Sequence, residues 1–188
     1  MSIDTEEPTD GRLLRGNESR RALLEAASRV IVEDGVDALT HRAVAEAAGV
    51  PLARVSYHYP KVEDLMVAAA TQYLEVFDDR LRTMADSARG GRRSMVEACT
   101  DFLLELVTVQ SREFLGMVEV RLALHRRGRT VDDIGAVDII RSFGADERLA
   151  RSIVAAMFGF AVLAATARES VTRPQVRAYV QSILGGLT

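Results

Sequence analysis

The chain has 188 residues, 48% of them apolar and 27% charged, with a formal net charge of −3. That is the profile of a globular protein, and a length of this order supports one or two small domains. The slight acidity excludes a generally basic nucleic-acid binder, so any DNA contact must come from a local patch. A single cysteine, Cys99, excludes an internal disulfide framework and a four-cysteine metal site. Set among Val96, Ala98 and Phe102, it reads as a buried thiol. No metal and no cofactor are expected.

The opening stretch, MSIDTEEPTDG, is acidic and polar and has the features of neither a signal peptide nor a transit peptide. A cytoplasmic location is therefore the default expectation, and residues 1–16 read as a flexible tail ending in Arg12 and Arg15. Asn17 or Ser19 can cap a first helix with Leu23, Leu24, Ala27, Val30 and Ile31 on one stripe, stopped by Gly35. Thr40 can cap a short second helix with Val44 and Ala48 inward, ended by Gly49. Pro51 suits the first turn of a third helix, and Pro60 forces Tyr59 out of helical geometry. Three short helices thus fill residues 17–60.

A long fourth helix follows from about Lys61, with Leu65, Ala69, Tyr73, Val76, Phe77, Leu81 and Met84 at helical spacing. Gly90-Gly91 breaks it. Further helical patterns run over Ser94–Val109 and Glu113–Arg126, with a weaker one over Val131–Ser142, where Gly135 and β-branched residues lower the propensity. Asp146–Arg168 is apolar nearly all round through its middle, which predicts a helix covered on more than one face. Its uncharged run, Ser152–Ala167, has 16 residues, short of the roughly 20 that span a bilayer, so no membrane partner is expected. Thr172-Arg173-Pro174-Gln175 has the form of a capping box with proline in the first turn. It opens a last helix striped by Val176, Tyr179, Val180, Ile183, Leu184 and Leu187. No period-two alternation and no internal repeat occur, and the predicted fold is all-α.

Residues 40–59, THRAVAEAAGVPLARVSYHY, read as two short helices joined by a tight turn. Ala45 and Ala48 let the helices cross closely, Gly49 takes the turn, and Val50 and Val55 fill the core. A helix-turn-helix needs that arrangement. The candidate DNA-binding residues are Thr40, Arg42, Pro51, Leu52, Ala53, Arg54, Ser56, Tyr57, His58 and Lys61, whose side chains suit base edges, thymine methyls and phosphates. Core packing is the competing reading for Tyr57 and Tyr59, and a structural role for His58. From Arg12 to Lys61 eight basic residues face six acidic ones, so placement and not excess carries the electrostatic case. Arg12, Arg15, Arg20 and Arg21 form either a basic arm for phosphates or a solvated tail.

This stretch resembles the TetR family of transcriptional regulators. Thr40, Val44, Ala45, Ala48, Gly49, Val50, Tyr57, His58, Tyr59, Glu63, Asp64 and Leu65 fall in the family's register without a gap. The resemblance covers about residues 17–65; the rest agrees in length, helicity and its two terminal helices. Two positions depart from the pattern. Ser56 stands where a phosphate-binding tyrosine is frequent, and Val62 where a lysine is common, with Tyr57 and Lys61 adjacent. The resemblance implies an N-terminal three-helix helix-turn-helix domain (17–62), joined by a long helix to a C-terminal helical ligand-binding and dimerisation domain (63–188).

It further implies a repressor that binds double-stranded DNA at a palindromic operator and is released by a small-molecule inducer. The implied ligand-lining residues are Phe102, Glu105, Phe114, Met117, Arg121, Met157 and Phe160, with ordinary core packing as the alternative for each. Glu105 and Arg121 stand out as charges on mostly apolar helices, to be paired with each other or with water. A homodimer is expected through Ala155, Phe158, Gly159, Val162, Val176, Tyr179, Val180, Ile183, Leu184 and Leu187; a monomer core is the competing use of these residues. Catalysis is not expected, because no HExxH pair, nucleophile elbow or phosphate-cradling loop is present. A helical adaptor, or a regulator without a small-molecule ligand, is the alternative function.

Overall fold

The 3.6-residue apolar period, cut by glycine and proline, resolves into helices throughout the residues that the computed structural model describes. These are 10–131 and 135–185, the side chains of residues 10–15 and 17 apart. They form α1 (Asp10–Asp34), a 3-10 turn (Val36–Ala38), α2 (His41–Ala48), α3 (Leu52–His58), α4 (Val62–Arg89) and α5 (Met95–Thr108). The chain continues through α6 (Ser111–Arg126), α7 (Ala136–Arg141), α8 (Glu147–Ala165) and α9 (Arg173–Leu184). No strand occurs among the described residues.

Caps explain most of the boundaries. The Thr40 hydroxyl accepts from the Ala43 amide at 3.1 Å, Ser94 caps α5 through the Glu97 amide, and the Asp146 carboxylate caps α8 through the Leu149 amide. The capping box at Thr172 and Gln175 is present, with proline in the first turn of α9. Two boundaries depart from expectation. α1 begins at Asp10, so residues 10–16 are helix and not tail; one glycine, Gly16, costs about 1 kcal/mol in a helix, too little to end a long one. Residues 1–9 lie outside the described residues. Pro51 takes the extended cap position before α3, at φ −60° and ψ 140°, one residue outside the helix.

Two apolar cores hold the chain together. The first joins α1, α2 and α3 through Leu23, Ala27, Val30, Val44 and Val55 to the N-terminal part of α4 (Leu65, Met66, Ala69, Ala70). It also takes in Met117, Val120, Ala123 and Leu124 of α6. The second gathers α5, α7, α8 and α9 around Leu103, Leu106, Ile140, Ile153, Val176 and Val180, with Phe114 from the start of α6. Phe77 and Met84 of α4 pack against it, so α4 and α6 contribute to both cores.

The tightest approach between α1 and α6 is at Gly116, where a Cβ would lie 3.0 Å from Ile31 Cγ2. Gly116→Val is expected to destabilise the fold by about 1–3 kcal/mol, because a branched side chain there overpacks a filled interface. Urea unfolding checks this, and an unchanged midpoint would show that the interface can spread.

The last two helices are covered to very different extents by their own chain. α8 is the one described helix long and apolar enough to cross a bilayer by length and composition, yet only 17% of its most apolar stretch is buried within the protomer. It is not wrapped on several faces by its own chain. On α9, by contrast, Val176, Val180 and Leu184, expected at a dimer interface, are buried in the protomer's own second core. The reason is period: they repeat at i, i+4 and i+8 and share the face turned to α5. That face is fastened at its edge by Arg173, which reaches Glu97 and Asp101, and by Arg177, which reaches Glu97 at 2.6 Å. Hydrogen bonding from Arg177, with the charges of both arginines, holds the Glu97 carboxyl below its ordinary range. Leu187 lies outside the described residues.

Candidate DNA-reading surface and apolar cavity

The helix-turn-helix is assembled by small residues and three polar ties. Gly49 closes α2 at φ 65°, a left-handed conformation that glycine adopts without strain, while the Val50 amide returns to Ala45 O at 3.0 Å. Val55 is fully buried and fixes which side of α3 faces inward. The remaining positions of that helix follow from this anchor. Pro51, Leu52, Ala53, Arg54, Ser56 and Tyr57 are exposed, and His58 is half-buried. Leu52 is 50% exposed and Tyr57 83% exposed, so core packing is not the use of Tyr57.

Tyr59 is the opposite case. It is buried against the first core, and burial raises its phenol pKa. Arg42 and Lys61 are exposed at the starts of α2 and α4, and Thr40 is exposed with its oxygen engaged as a cap. A hydroxyl that accepts a cap bond keeps its O–H donor for a phosphate oxygen. His58 meets Tyr57 edge to face with ring centroids 5.3 Å apart. Arg20 and Arg21 are exposed on α1, where Arg21 pairs with Glu25 at 3.0 Å. The side chains of Arg12 and Arg15 are outside the described set.

Two positioning residues escaped the sequence reading. His41 Nε2 lies 2.6 Å from Tyr59 O, and a carbonyl can only accept, so this nitrogen donates. The bond ties the start of α2 to the end of α3. Arg29 donates to Ala47 O at 2.8 Å and pins α1 to the end of α2. Neither has a motif signature, since each bonds to backbone. His41→Ala is expected to cost about 1 kcal/mol of stability and to weaken DNA binding severalfold by loosening α3. A thermal melt and a binding isotherm check it; unchanged affinity would mean that Val55 alone orients the helix.

The C-terminal helices border a partly open apolar cavity of about 80 Å³. Phe77, Leu81 and Met84 of α4 line it, with Cys99, Phe102, Leu103 and Leu106 of α5, and Phe114 of α6. Ala136, Ile139 and Ile140 of α7 and Val154, Met157, Phe158 and Ala161 of α8 complete the wall. Among the described residues, no lining side chain carries nitrogen or oxygen. Burial pushes the Cys99 thiol up to about 12, and it lies 3.6 Å from Met95 Sδ, so it stays a neutral thiol.

A second lobe is lined by Tyr73, Leu74, Phe77, Phe114, Met117, Val118, Arg121 and Phe158. Phe77, Phe114 and Phe158 belong to both lobes. The Tyr73 hydroxyl is buried with no hydrogen-bond partner among the described residues, and burial raises its pKa to about 12, so it remains a donor.

Of the expected ligand residues, Phe102, Phe114 and Met157 thus line the main cavity, and Phe114, Met117 and Arg121 the second lobe. Glu105 and Phe160 line neither. Glu105 pairs with Arg80 at 3.1 Å in an outer groove behind Phe102, while Phe160 stacks on Tyr179 with centroids 4.2 Å apart. The stripe Phe77, Leu81, Met84 was legible as a helix face; that it fronts a hollow depends on what the opposite helices leave unfilled.

Three helices that expose the outer side of α3, set on a second helical core with its own cavity, define a helix-turn-helix transcriptional regulator that binds DNA. Residues 23–69 match the family described as bacterial regulatory proteins, tetR family. A member of the TetR family from Streptomyces coelicolor A3 (SCO1917) is 25% identical, with a TM-score of 0.75 over 88% of this chain and 98% of that one. The multidrug binding protein EbrR, complexed with ethidium, is 26% identical, with a TM-score of 0.71 over 88% and 98%. A transcriptional regulator from Rhodococcus sp. Rha1, 18% identical with a TM-score of 0.60 over 90% and 95%, shares the fold. The chain matches no curated protein. The match to the TetR family covers residues 23–69, and beyond them the likeness to these regulators is one of fold.

Proposed function

We propose that the protein is a cytoplasmic homodimeric repressor that binds a palindromic operator and leaves it when a small molecule enters the apolar cavity. The observation that carries this reading is the pairing of exposed apolar surfaces at opposite ends of the chain. Leu52 and Tyr57 are exposed beside Arg54 on α3, and Phe158 (45%) and Leu163 (72%) on α8. A soluble protomer keeps such surface only where something covers it.

On α3, Leu52, Ala53, Arg54, Ser56 and Tyr57 would meet the major groove, with Thr40, Arg42, Pro51, His58 and Lys61 at its phosphate rim. Residues 17–62 would act as the DNA-reading domain. On α8, Ala155, Phe158, Gly159, Val162 and Leu163 form the face for a second copy, with the half-buried Tyr179 and Ile183 of α9 beside it. A Cβ at Gly159 would meet nothing within 4 Å, so this side of α8 is open to a partner backbone. A seven-residue recognition helix reads few bases alone; two copies about 34 Å apart read a palindrome.

Release would follow from the way α4 and α6 span both cores. Phe77, Leu81 and Phe114 touch the cavity, while Leu65, Met66, Val120 and Leu124 of the same helices pack under the DNA-reading helices. Arg129 pairs with Asp64 at 3.2 Å and Arg127 with Glu63 at 3.6 Å, joining the end of α6 to the start of α4. A ligand that fits better when these helices tilt shifts the population toward the spacing that does not fit the operator.

Selection of bound fragments from a random DNA library, at two salt concentrations, tests the reading. One enriched palindrome, binding more weakly at higher salt, is the expected result. No enrichment from folded protein would favour a helical adaptor that uses α3 for protein contacts.

A further inference from the structure

The chemistry of the cavity narrows what can occupy it. Its wall is hydrocarbon, aromatic ring and neutral sulfur, and a charge placed there would lose its hydration with no counter-charge in return. Two carboxylates near the main cavity are engaged elsewhere, while Glu113 of α6 is close enough to add to the rise in the Tyr73 pKa. Glu105 holds Arg80 on the outer side of Phe102, and Asp78 accepts from the Gly135 amide and pairs with Arg82. The relative EbrR has been solved with ethidium, malachite green and proflavin, and among the described residues no carboxylate lines either lobe here to receive a cation of that kind. Across the shared rings of Phe77, Phe114 and Phe158 the second lobe holds two polar groups: Arg121, which is engaged in an interaction of its own, and the buried Tyr73 hydroxyl, which has no hydrogen-bond partner among the described residues.

The geometry points to an uncharged, largely apolar aromatic ligand, carrying a hydrogen-bond acceptor that reaches the Tyr73 phenol through the shared aromatic partition. This rests on reading the cavity as the effector site. The body of the molecule is held by area burial and by edge-to-face contact with the phenylalanines, which orient a flat ring better than a flexible chain. The acceptor fixes its direction, because a buried hydroxyl left without a partner gains most when one arrives.

The test is binding to the full-length protein in the absence of DNA, followed by the probes' own fluorescence. Four probes serve: prodan (neutral, with a carbonyl acceptor), N-phenyl-1-naphthylamine (neutral, without one), ethidium (cationic) and 1,8-anilinonaphthalene sulfonate (anionic). Both neutral probes are expected to saturate at one per protomer, and both charged ones to bind at least about tenfold more weakly. Tyr73→Phe should weaken prodan about tenfold and leave N-phenyl-1-naphthylamine unchanged.

Ile139→Trp, at the wall between the cavity and the outer surface, should block both neutral probes with helicity retained by circular dichroism. Tighter binding of ethidium than of either neutral probe overturns the proposal. So does an equal loss of both neutral probes in folded Tyr73→Phe, binding that survives Ile139→Trp, or failure of all four probes to bind. Operator release is scored separately. Neutral probes that bind and leave the operator occupied would sink the effector reading and not the ligand chemistry, while tight ethidium binding with release would do the reverse.

Discussion

Tyr57→Ala is expected to weaken operator binding by about tenfold to a hundredfold and to leave the melting temperature unchanged. Tyr57 is 83% exposed and makes only an edge contact with His58, so truncation removes almost no buried area. What it removes is a phenol at the outer side of α3, suited to a phosphate oxygen or a base edge. Such a contact is worth about 1–3 kcal/mol, and 1.4 kcal/mol is a factor of ten. If Tyr57 serves a phosphate, the loss is uniform across operator variants and the salt dependence is unchanged, because a neutral phenol releases no counterion. If it serves a base, discrimination at one position relaxes. An unchanged affinity in the folded variant would remove Tyr57 from the reading surface and leave Arg54 as the candidate anchor.

Leu163→Asp on α8 is expected to raise the dimer dissociation constant by at least about a thousandfold. Leu163 is 72% exposed in the protomer, so the substitution spares the chain's own core. In a two-fold interface each substitution counts twice, and each copy loses the burial of a leucine, about 1.5–3 kcal/mol, and gains a carboxylate to desolvate. Sedimentation should show a protomer with unchanged helicity and, at nanomolar concentration, operator binding lost along with the dimer. A variant that remains dimeric would take this face of α8 out of the interface. The same experiment on Ile183, half-buried and packed against the second core, would confound association with folding, which makes Leu163 the cleaner site.

How far the sequence carries can be judged residue by residue. The helix-turn-helix was legible because its constraints are local. Thr40 caps within three residues, Gly49 needs a left-handed turn, and Val44 and Val55 each mark the inward side of their own short helix. The surface of α3 followed from these, since one buried valine in a seven-residue helix assigns the other side chains. Tyr59 was not assigned, because a residue beside proline can turn either way; the His41 bond to its carbonyl and its packing on the first core decide it.

The C-terminal half was legible in helix count and caps and not in which face meets what. Val176, Val180 and Leu184 make as good a stripe for a dimer as for a core, and only the position of α5, fastened by Glu97 to Arg173 and Arg177, shows that they face inward. Glu105 looked like a lining residue because it is a charge on an apolar helix, but it sits one side chain beyond the wall, pairing with Arg80. The cavity itself is a negative shape, set by what α4, α5, α7 and α8 leave unfilled, and no single stretch of sequence encodes it.

The central claim is that two copies of α3, held at a fixed separation by one dimer, read the operator together. The most direct measurement is the affinity of the wild-type protein for its selected palindrome with zero, five and ten base pairs inserted between the half-sites. Five base pairs turn one half-site to the opposite face of the duplex and ten move it by a full turn, so both insertions should cost at least about a hundredfold in affinity. Equal affinity at all three spacings would mean that each protomer binds its half-site independently, and would contradict the dimeric account.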